Sequence, residues 1–581
     1  MPIARTGGKI LVDSLQIQGA DMAFGVPGES YLAVLDALHD SPLRFIVNRQ
    51  EGGAAFMAEA YGKMTGRPGI CFVTRGPGAT NASIGIHTAQ QDSTPLIVFI
   101  GQVGNDFVER EAFQEIDYRR MFGQICKWVA QIDRAERIPE YVARAYQVAT
   151  SGRAGPVVLA LPEDMLTSMA TVDDTLCHQP VHAAPTTEQI NQLRARLAVA
   201  RCPLVLLGGS GWDHSACNAI QRFIERNHLP VACVFRRQDL FDNAHPNYIG
   251  DVGIGINPAL AKRIENADLI LAIGTRLGEM TTSGYHLLQA PRPLQRLIHV
   301  HADPHELGRV YQADQMINSG MQAIAAALEA MAPLDRSAQP NIDQVAAARA
   351  AYLGWQSEPI LFADRSILLN LWQVMQILRA ALPRDTILTN GAGNFASWGH
   401  RFWQYGNRDA GAASSTPLRT QLAPTSGAMG YGVPAGIAAA LLGAQQNHQQ
   451  HVVTLAGDGD FMMNGQELAT AVQYGARVLI VVFNNRMFGT IRMHQERNYP
   501  ARISGTELHN PDFAALARAY GAFGESVDKT EQFSGVLQRA LAHLQQQGGP
   551  ALIELRYDGN VITPSATLTS IRESAIAAAI K

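Results

Sequence analysis

Short runs of β-branched and other apolar residues alternate with longer amphipathic stretches along most of the chain. That is the pattern of strand–helix units wound around parallel sheets. Residues 69–74, 95–101 and 155–162 carry such runs in a first segment that extends to about residue 180. Residues 203–209, 267–274 and 297–301 do so in a second, and residues 385–389, 451–456 and 478–483 in a third. A helix-like stretch over about 367–382 precedes the third set. Polar stretches without a sustained period, 172–187 and roughly 333–344, read as linkers. The expectation is an α/β chain of three doubly wound parallel-sheet domains, over 1–180, 190–335 and 360–565, with a C-terminal tail at 566–581. The first and third should be alike in architecture, although their sequences do not show it.

Composition narrows the function classes. At 581 residues the chain is too long for one core. Its 47% hydrophobic and 17% charged residues are those of an ordinary globular protein, and its 52 glycines suit many tight strand-to-helix turns. A net charge of −4 leaves no polybasic footprint, which argues against nucleic acid as the main partner. Cys71, Cys126, Cys177, Cys202, Cys217 and Cys233 have no CxxC spacing and read as reduced structural thiols. No apolar run approaches the ~20 residues of a membrane span, and the N-terminus lacks a signal-peptide core, so a cytoplasmic protein without a membrane partner is expected.

The chemistry concentrates where two strands end. The run ending at Ala456 is followed by Gly457-Asp458-Gly459-Asp460, and the run ending at Phe483 by Asn484-Asn485. In a parallel sheet, adjacent turns at the carboxyl ends of strands face one crevice. The glycines permit positive φ and let backbone N–H groups approach a polyanion. Asp458 offers a hard anionic oxygen and Asn485 an amide oxygen, ligands suited to Mg²⁺ bridged to a diphosphate. Alone, a Gly-Asp-Gly is usually only a turn. With Asn-Asn 24 residues further on, it resembles the thiamine-diphosphate (ThDP) signature.

That resemblance implies Asp458, Asn485 and the carbonyl of Met487 as Mg²⁺ ligands. It places Gly457, Gly459, Asp460, Phe488, Gly489, Thr490, Ile491 and Asn394 against the cofactor. Asp460 has a second reading, a first-turn helix acid without ligand contact, because another anion beside a diphosphate is unfavourable. The run 48–62 around Glu51 is similar to the Glu-containing motif of the acetolactate synthase superfamily, with Gln50 where that motif usually has His. By itself Glu51 reads as a helix-capping acid; by resemblance it binds the aminopyrimidine and drives its tautomerisation, commonly from a neighbouring subunit. Pro27 and Gly28 in Phe24–Gly28, and Thr74 and Asn81 in Thr74–Asn81, match loops near the pyrimidine and thiazolium. Gly427 and Met429 match the segment that binds the 4′-amino group and wedges the cofactor into its bent form.

The resemblance covers almost the whole chain, in the order pyrimidine-binding, central and diphosphate-binding domains. It implies a ThDP- and Mg²⁺-dependent lyase or carboligase acting on a 2-oxo acid such as pyruvate. Decarboxylation to an enamine would be followed by attack on a second carbonyl, in a homodimer or homotetramer. Simple decarboxylation, cleavage of a 2-hydroxyacyl-CoA and a flavin-linked oxidase are alternatives. Phe113 and Gln114 match residues that face the reacting carbons. Glu163 stands where biosynthetic acetolactate synthases usually have Lys, and His494 where they commonly have Trp, so both are candidate substrate residues. FAD or another nucleotide is possible in the central domain, at residues 208–211 and 274–278, with Asp303 near the adenosine end. The run Phe235-Arg-Arg-Gln238 departs from the synthase pattern and suits a different nucleotide site equally well.

Overall fold

The computed structural model describes residues 3–334, 341–364, 366–406, 419–446 and 450–580. Three six-stranded sheets frame the described residues, and every strand pairing within them is parallel. The first contains β1 (Met22–Gly25), β2 (Arg44–Val47), β3 (Gly69–Val73), β4 (Leu96–Gln102), β5 (Trp128–Gln131) and β6 (Pro156–Pro162), in the order β2-β1-β3-β4-β6-β5. The second contains β7 (Pro203–Leu207), β8 (Val231–Val234), β9 (Tyr248–Val252), β10 (Leu269–Ile273), β11 (Arg296–His301) and β12 (Gln315–Asn318), in the order β9-β8-β7-β10-β11-β12. The third contains β13 (Ile387–Asn390), β14 (Gln421–Leu422), β15 (Val452–Gly457), β16 (Leu479–Asn484), β17 (Phe523–Val527) and β18 (Ala551–Arg556), in the order β14-β13-β15-β16-β18-β17. The first and third sheets therefore share one topology, as expected, and the second has another.

Each order contains a switch point, where successive connections leave in opposite directions and open a crevice at the strand ends. The switches fall between β1 and β3, between β7 and β10, and between β13 and β15. β3, β4, β6, β7, β10, β15 and β16 are buried along their whole lengths, which explains why they read as continuous apolar runs.

Two helices join the first and third sheets. Helix α1 (Glu51–Thr65) starts at the N-cap Gln50, whose side chain accepts from Gly53 N, and ends on left-handed Gly66. Helix α2 (Pro77–Asp92) follows β3, and helix α3 (Glu163–Thr167) follows β6. Helix α4 (Gly432–Gln445) and α1 are apolar nearly all round and pack together, as helices buried on every side must. Phe56 meets Tyr431 edge to face at 5.3 Å within the core they share.

Several sequence boundaries move. The helix expected at 367–382 is Leu371–Ala381, because the Asn370 side chain caps it by accepting from Gln373 N. The strand expected from residue 385 starts at Ile387. The 172–187 stretch carries no regular element before Thr187, where a capping box between Thr186 and Gln189 starts a helix. Of the 333–344 linker, residues 335–340 lie outside the described residues, and Asn341 already begins a helix. The tail forms a strand pairing and then helix α7 (Leu568–Ile580). Among the described residues, no helix is long and apolar enough to cross a membrane.

Candidate functional site

Gly457 pairs with Phe483 across β15 and β16, so the chain leaves both strands side by side. Helix α5 (Asp458–Asn464) opens on Asp458 and buries it. One Asp458 oxygen accepts from Gly459 N (2.9 Å), and the other from Arg486 N (2.7 Å) and Asn510 Nδ2 (2.8 Å). Asn485 Oδ1 accepts from Met487 N (3.2 Å), so Asp458 and Asn485 converge on one turn. Burial raises the Asp458 carboxyl above its ordinary range, and these neutral N–H donors pull it back. The turn is stiffened from outside, since Phe488 N donates to Thr506 O (2.8 Å) and Leu508 N to Arg486 O (2.9 Å). Helix α6 (Gly489–Asn498) then carries Thr490, Ile491 and His494 away from it.

The glycines serve packing here, not a special dihedral. Gly457 has φ −74°, and Gly459 lies within α5, so the expected positive φ is absent. A Cβ on Gly457 would lie 2.7 Å from the Phe395 ring, and one on Gly459 2.6 Å from that of Phe488. Asp460 turns across the switch point and accepts from Gly430 N (2.8 Å) and Ala392 N (3.1 Å). Burial pushes its carboxyl up to about 7, against those two N–H groups and Arg236. Its side chain thus ties the loop after β13 to the segment carrying Gly427 and Met429. Asn394 joins the same loop to α6, since its N–H donates to Thr490 Oγ1 (3.1 Å) and Thr490 donates to its Oδ1 (3.0 Å).

The first sheet assembles a second group at its own switch point. Glu51 is the first residue of α1, and its Oε2 accepts from Asn81 Nδ2 (2.9 Å) of α2. A Cβ on Gly78 would lie 3.4 Å from the other Glu51 oxygen, and one on Gly28 2.6 Å from the Thr74 side chain. Thr74 Oγ1 shares a hydrogen bond with Ser30 Oγ (2.8 Å), next to exposed Pro27 and half-buried Gly28. Gln114 lies over Gly76 of the same turn, where an added Cβ would stand 2.7 Å from Gln114 Cβ. Glu163 is paired with Arg75 of that turn at 3.0 Å. The structure therefore brings Pro27, Gly28, Glu51, Thr74, Asn81, Phe113, Gln114 and Glu163 to one half-site. Asn394, Gly427, Asp458, Asp460, Asn485 and Thr490 belong to another. No hydrogen bond or ion pair among the described residues joins Glu51 to Asp458, Asn485 or the Gly427–Met429 segment.

Three family models match the chain in the same order as its sheets. They are the N-terminal TPP binding domain of thiamine pyrophosphate enzymes over residues 5–121, the central domain over 190–328, and the C-terminal TPP binding domain over 391–555. The acetolactate synthase large subunit of Parasynechococcus marenigrum is 32% identical, with 95% of this chain and 88% of that protein covered. The chain belongs to the thiamine pyrophosphate enzyme family. Acetolactate synthase isozyme 2 large subunit of Escherichia coli is 29% identical over 95% of each chain. A probable acetolactate synthase large subunit of Methanocaldococcus jannaschii is also 29% identical, over 97% of this chain and 95% of that one. Within the family the chain is acetolactate synthase-like, an enzyme with three α/β domains.

In this thiamine pyrophosphate enzyme a cleft of 1020 Å³ runs from the switch point of the second sheet to the third. Gly209, Thr275, Arg276 and Gly278 line one end, and Asn394, Gly427, Thr490 and His494 the other. Asp303 lies elsewhere, beside Gly152 of the first domain. Arg236 Nε and His400 Nε2 are buried in the cleft wall without a hydrogen-bond partner among the described residues. The Arg236 guanidinium donates to Pro424 O and, at 3.4 Å, to Gly391 O.

Two supports escaped sequence reasoning. Buried Glu467 accepts from Arg49 N (3.0 Å), Gln50 N (3.1 Å) and Asn48 Nδ2 (3.2 Å), so a residue of the third domain holds the turn that opens α1. Asn510 bridges Asp458 and Asn484 from 26 residues downstream. Neither leaves a sequence trace: Glu467 stands among polar Asn464, Gln466 and Thr470, and Asn510 lies outside any motif.

Proposed function

We propose that this enzyme is a ThDP- and Mg²⁺-dependent carboligase of acetolactate synthase type, acting on a 2-oxo acid such as pyruvate. The observation that carries the reading is the convergence of Asp458 and Asn485 on one turn beside the switch point of the third sheet. The names of the relatives favour carboligation over the decarboxylase, thioester lyase and oxidase alternatives.

The donor set suits Mg²⁺. Asp458 offers a carboxylate oxygen, Asn485 an amide oxygen and Met487 its carbonyl. These three oxygens would leave the rest of the Mg²⁺ shell to diphosphate oxygens and water. A cation there favours ionised Asp458, which burial disfavours. ThDP, when bound, supplies a nucleophilic carbon and an electron sink for loss of CO₂ from a 2-oxo acid.

The chain's own residues divide the remaining work. Gly457, Gly459, Phe488, Gly489, Thr490 and Asn394 hold the diphosphate end, and Ile491 and Met429 pack against the rings. Asp460 acts by holding the Gly430 N–H. The Gly427 carbonyl accepts from the 4′-amino group, and Glu51 holds the proton at the pyrimidine nitrogen. Pro27, Gly28, Thr74 and Asn81 shape the pocket around Glu51. Phe113 and Gln114 face the substrate, and His494 lies along its approach. We read the three sheets as the pyrimidine-binding, central and diphosphate-binding domains, and the central cleft as the candidate FAD site. Arg276 offers it a cation for phosphate, with Asp251 and Glu279 as the acids in place of Asp303.

Glu51 at the head of a helix of the first domain and Asp458 at the head of one in the third are in keeping with a homodimer or homotetramer in which each copy supplies Glu51 to the other. Exposed Ile84, Phe113, Met462 and Met463 give such a contact its apolar surface. The test is a screen of 2-oxo acids, alone and with aldehyde or keto acceptors, following CO₂ and products by mass spectrometry. Mixing Glu51→Gln with Asp458→Ala, each inactive alone, should restore activity through hybrids with one intact site. Wild-type-like activity in Glu51→Gln alone, or no recovery on mixing, defeats this arrangement. A flavin absorption band in the purified protein tests the FAD site.

A further inference from the structure

The loop carrying Phe113 and Gln114 has a backbone that must be imposed from outside. Glu109, Glu111 and Gln114 have φ of 62°, 51° and 66°, all in the left-handed region that non-glycine residues avoid. Such a run persists only where its surroundings over-determine it. Phe113 is 71% exposed within one chain, so packing inside that chain does not supply the constraint.

Two consecutive acids hold the ends of the loop, and Glu115 holds its middle. Glu163 and Asp164 open α3 directly after β6, and their side chains go to opposite ends of the loop. Asp164 Oδ1 accepts from Asn105 N (3.1 Å) where the loop begins. Glu163 Oε2 pairs with Arg75 Nη1 (3.0 Å), and Arg75 Nε donates to the Phe113 carbonyl (3.0 Å) near its end. Between them Glu115 accepts from Glu109 N (2.7 Å) and Ala112 N (3.0 Å). Gly76, with φ 61°, lets Gln114 settle on the turn that also carries Thr74 and Gly78, and its N–H donates to Tyr118 Oη (2.9 Å). The Arg75 side chain is nine-tenths covered and its charge has Glu163 as partner, whereas Glu163 stays 40% exposed.

We propose that the Arg75–Glu163 pair is a positioning device that sets the Phe113–Gln114 loop against the Glu51 half-site. Glu163 then acts on substrate choice through Arg75 and the Phe113 carbonyl, without meeting substrate itself. The charge reversal at 163, relative to the Lys expected there, is in this view answered inside the protein by Arg75. A neutral residue at 163 leaves a mostly buried guanidinium without its counter-ion, and Arg75 turns towards water and releases the carbonyl. The functional half of this inference rests on the proposed substrate-side role of Phe113 and Gln114; the structural half does not.

Hydrogen exchange of the full-length protein, read by mass spectrometry, tests the structural half. In Glu163→Gln, amides within 105–115 should exchange about tenfold faster, while those of 458–467 are unchanged. Glu163→Asp, which keeps the charge, should retain most of the protection. With pyruvate, Glu163→Gln should raise KM about tenfold with kcat changed far less, and release a larger share of free aldehyde. Unchanged exchange in 105–115 overturns the proposal. So does a KM effect with unchanged exchange, since Glu163 would then be touching substrate. If the wild-type enzyme turns over no 2-oxo acid, the functional reading fails, and the exchange measurement still decides the positioning role.

Discussion

Single residues at the third sheet show how little room this site has. Gly391 faces Asp460 so closely that an added Cβ would stand 2.0 Å from its Oδ1. Gly391→Ala should therefore destabilise the protein by about 1–3 kcal/mol through overpacking, seen as a lower Tm and as weaker ThDP binding. Asp458 and Glu51 should separate binding from chemistry. Asp458→Ala should lose ThDP in calorimetric titration. Glu51→Gln should bind it with near-native affinity yet turn over more slowly by about a thousandfold, the range of a lost proton-transfer group. Gly457 and Gly459 teach a different lesson. Their glycine identity is legible as a turn, but its reason is the approach of the Phe395 and Phe488 rings, which come from distant positions in the chain.

Elements are held across one another by buried acids. Glu496 of α6 accepts from Arg492 of its own helix (3.1 Å), from Arg572 of α7 (2.7 and 2.5 Å) and from Ala501 N (3.0 Å). The Arg572 hydrogen bond, with Arg492 and the Ala501 N–H, holds its carboxyl down, from an ordinary 4.5 to about 2. A depressed carboxylate contributes stability above its unfolded pKa and loses it as pH falls through the folded value. The docking of α7 on α6 should thus weaken between about pH 4.5 and pH 2. Glu496→Gln should remove on the order of 2 kcal/mol at neutral pH and flatten the acid dependence. Exchange of the α7 amides against pH, in wild type and variant, checks both. If α7 is equally protected in both proteins down to pH 2, the pair does not hold the helix.

Across the whole molecule, one buried charge cluster meets all three domains. Lys63 of α1 pairs with Asp92 of α2 and with Glu59 (3.2 Å). Asp92 accepts from Thr425 N (2.6 Å) in the third domain, and its carbonyl accepts from Arg237 Nη2 (2.9 Å) of the central domain. Glu59 accepts from Tyr431 Oη (2.6 Å) at the head of α4. Burial would raise Asp92, but Lys63 and Arg237 more than offset it and hold it ionised. Burial also lifts Glu59, which Lys63 offsets only in part. Breaking such a set from one side leaves buried Lys63 with Glu59 as its remaining counter-ion, so Asp92→Asn should cost up to about 3 kcal/mol, the low end for a broken buried pair. It should lower the Tm and loosen the Thr425–Met429 segment, measurable as faster amide exchange there. An unchanged Tm would mean that this cluster does not hold the three domains together.

The sequence by itself determined the class of fold and the chemistry of its strand ends. Buried parallel strands must be apolar along their length, so β3, β4, β15 and β16 were legible to within about a residue. The turns that follow them carried Asp458, Asn485 and Thr74 in plain view. Sequence could not determine why those turns keep their shape, because Glu467, Asn510, Arg75 and Arg236 reach them from elsewhere in the chain, and such distances leave no local pattern. The resemblance already set Glu51 apart from the metal turn; the structure adds that no hydrogen bond or ion pair among the described residues joins it to Asp458 or Asn485. Only the tertiary structure showed Arg75 as the partner of Glu163, because ion pairing depends on proximity in space and 88 residues separate the two.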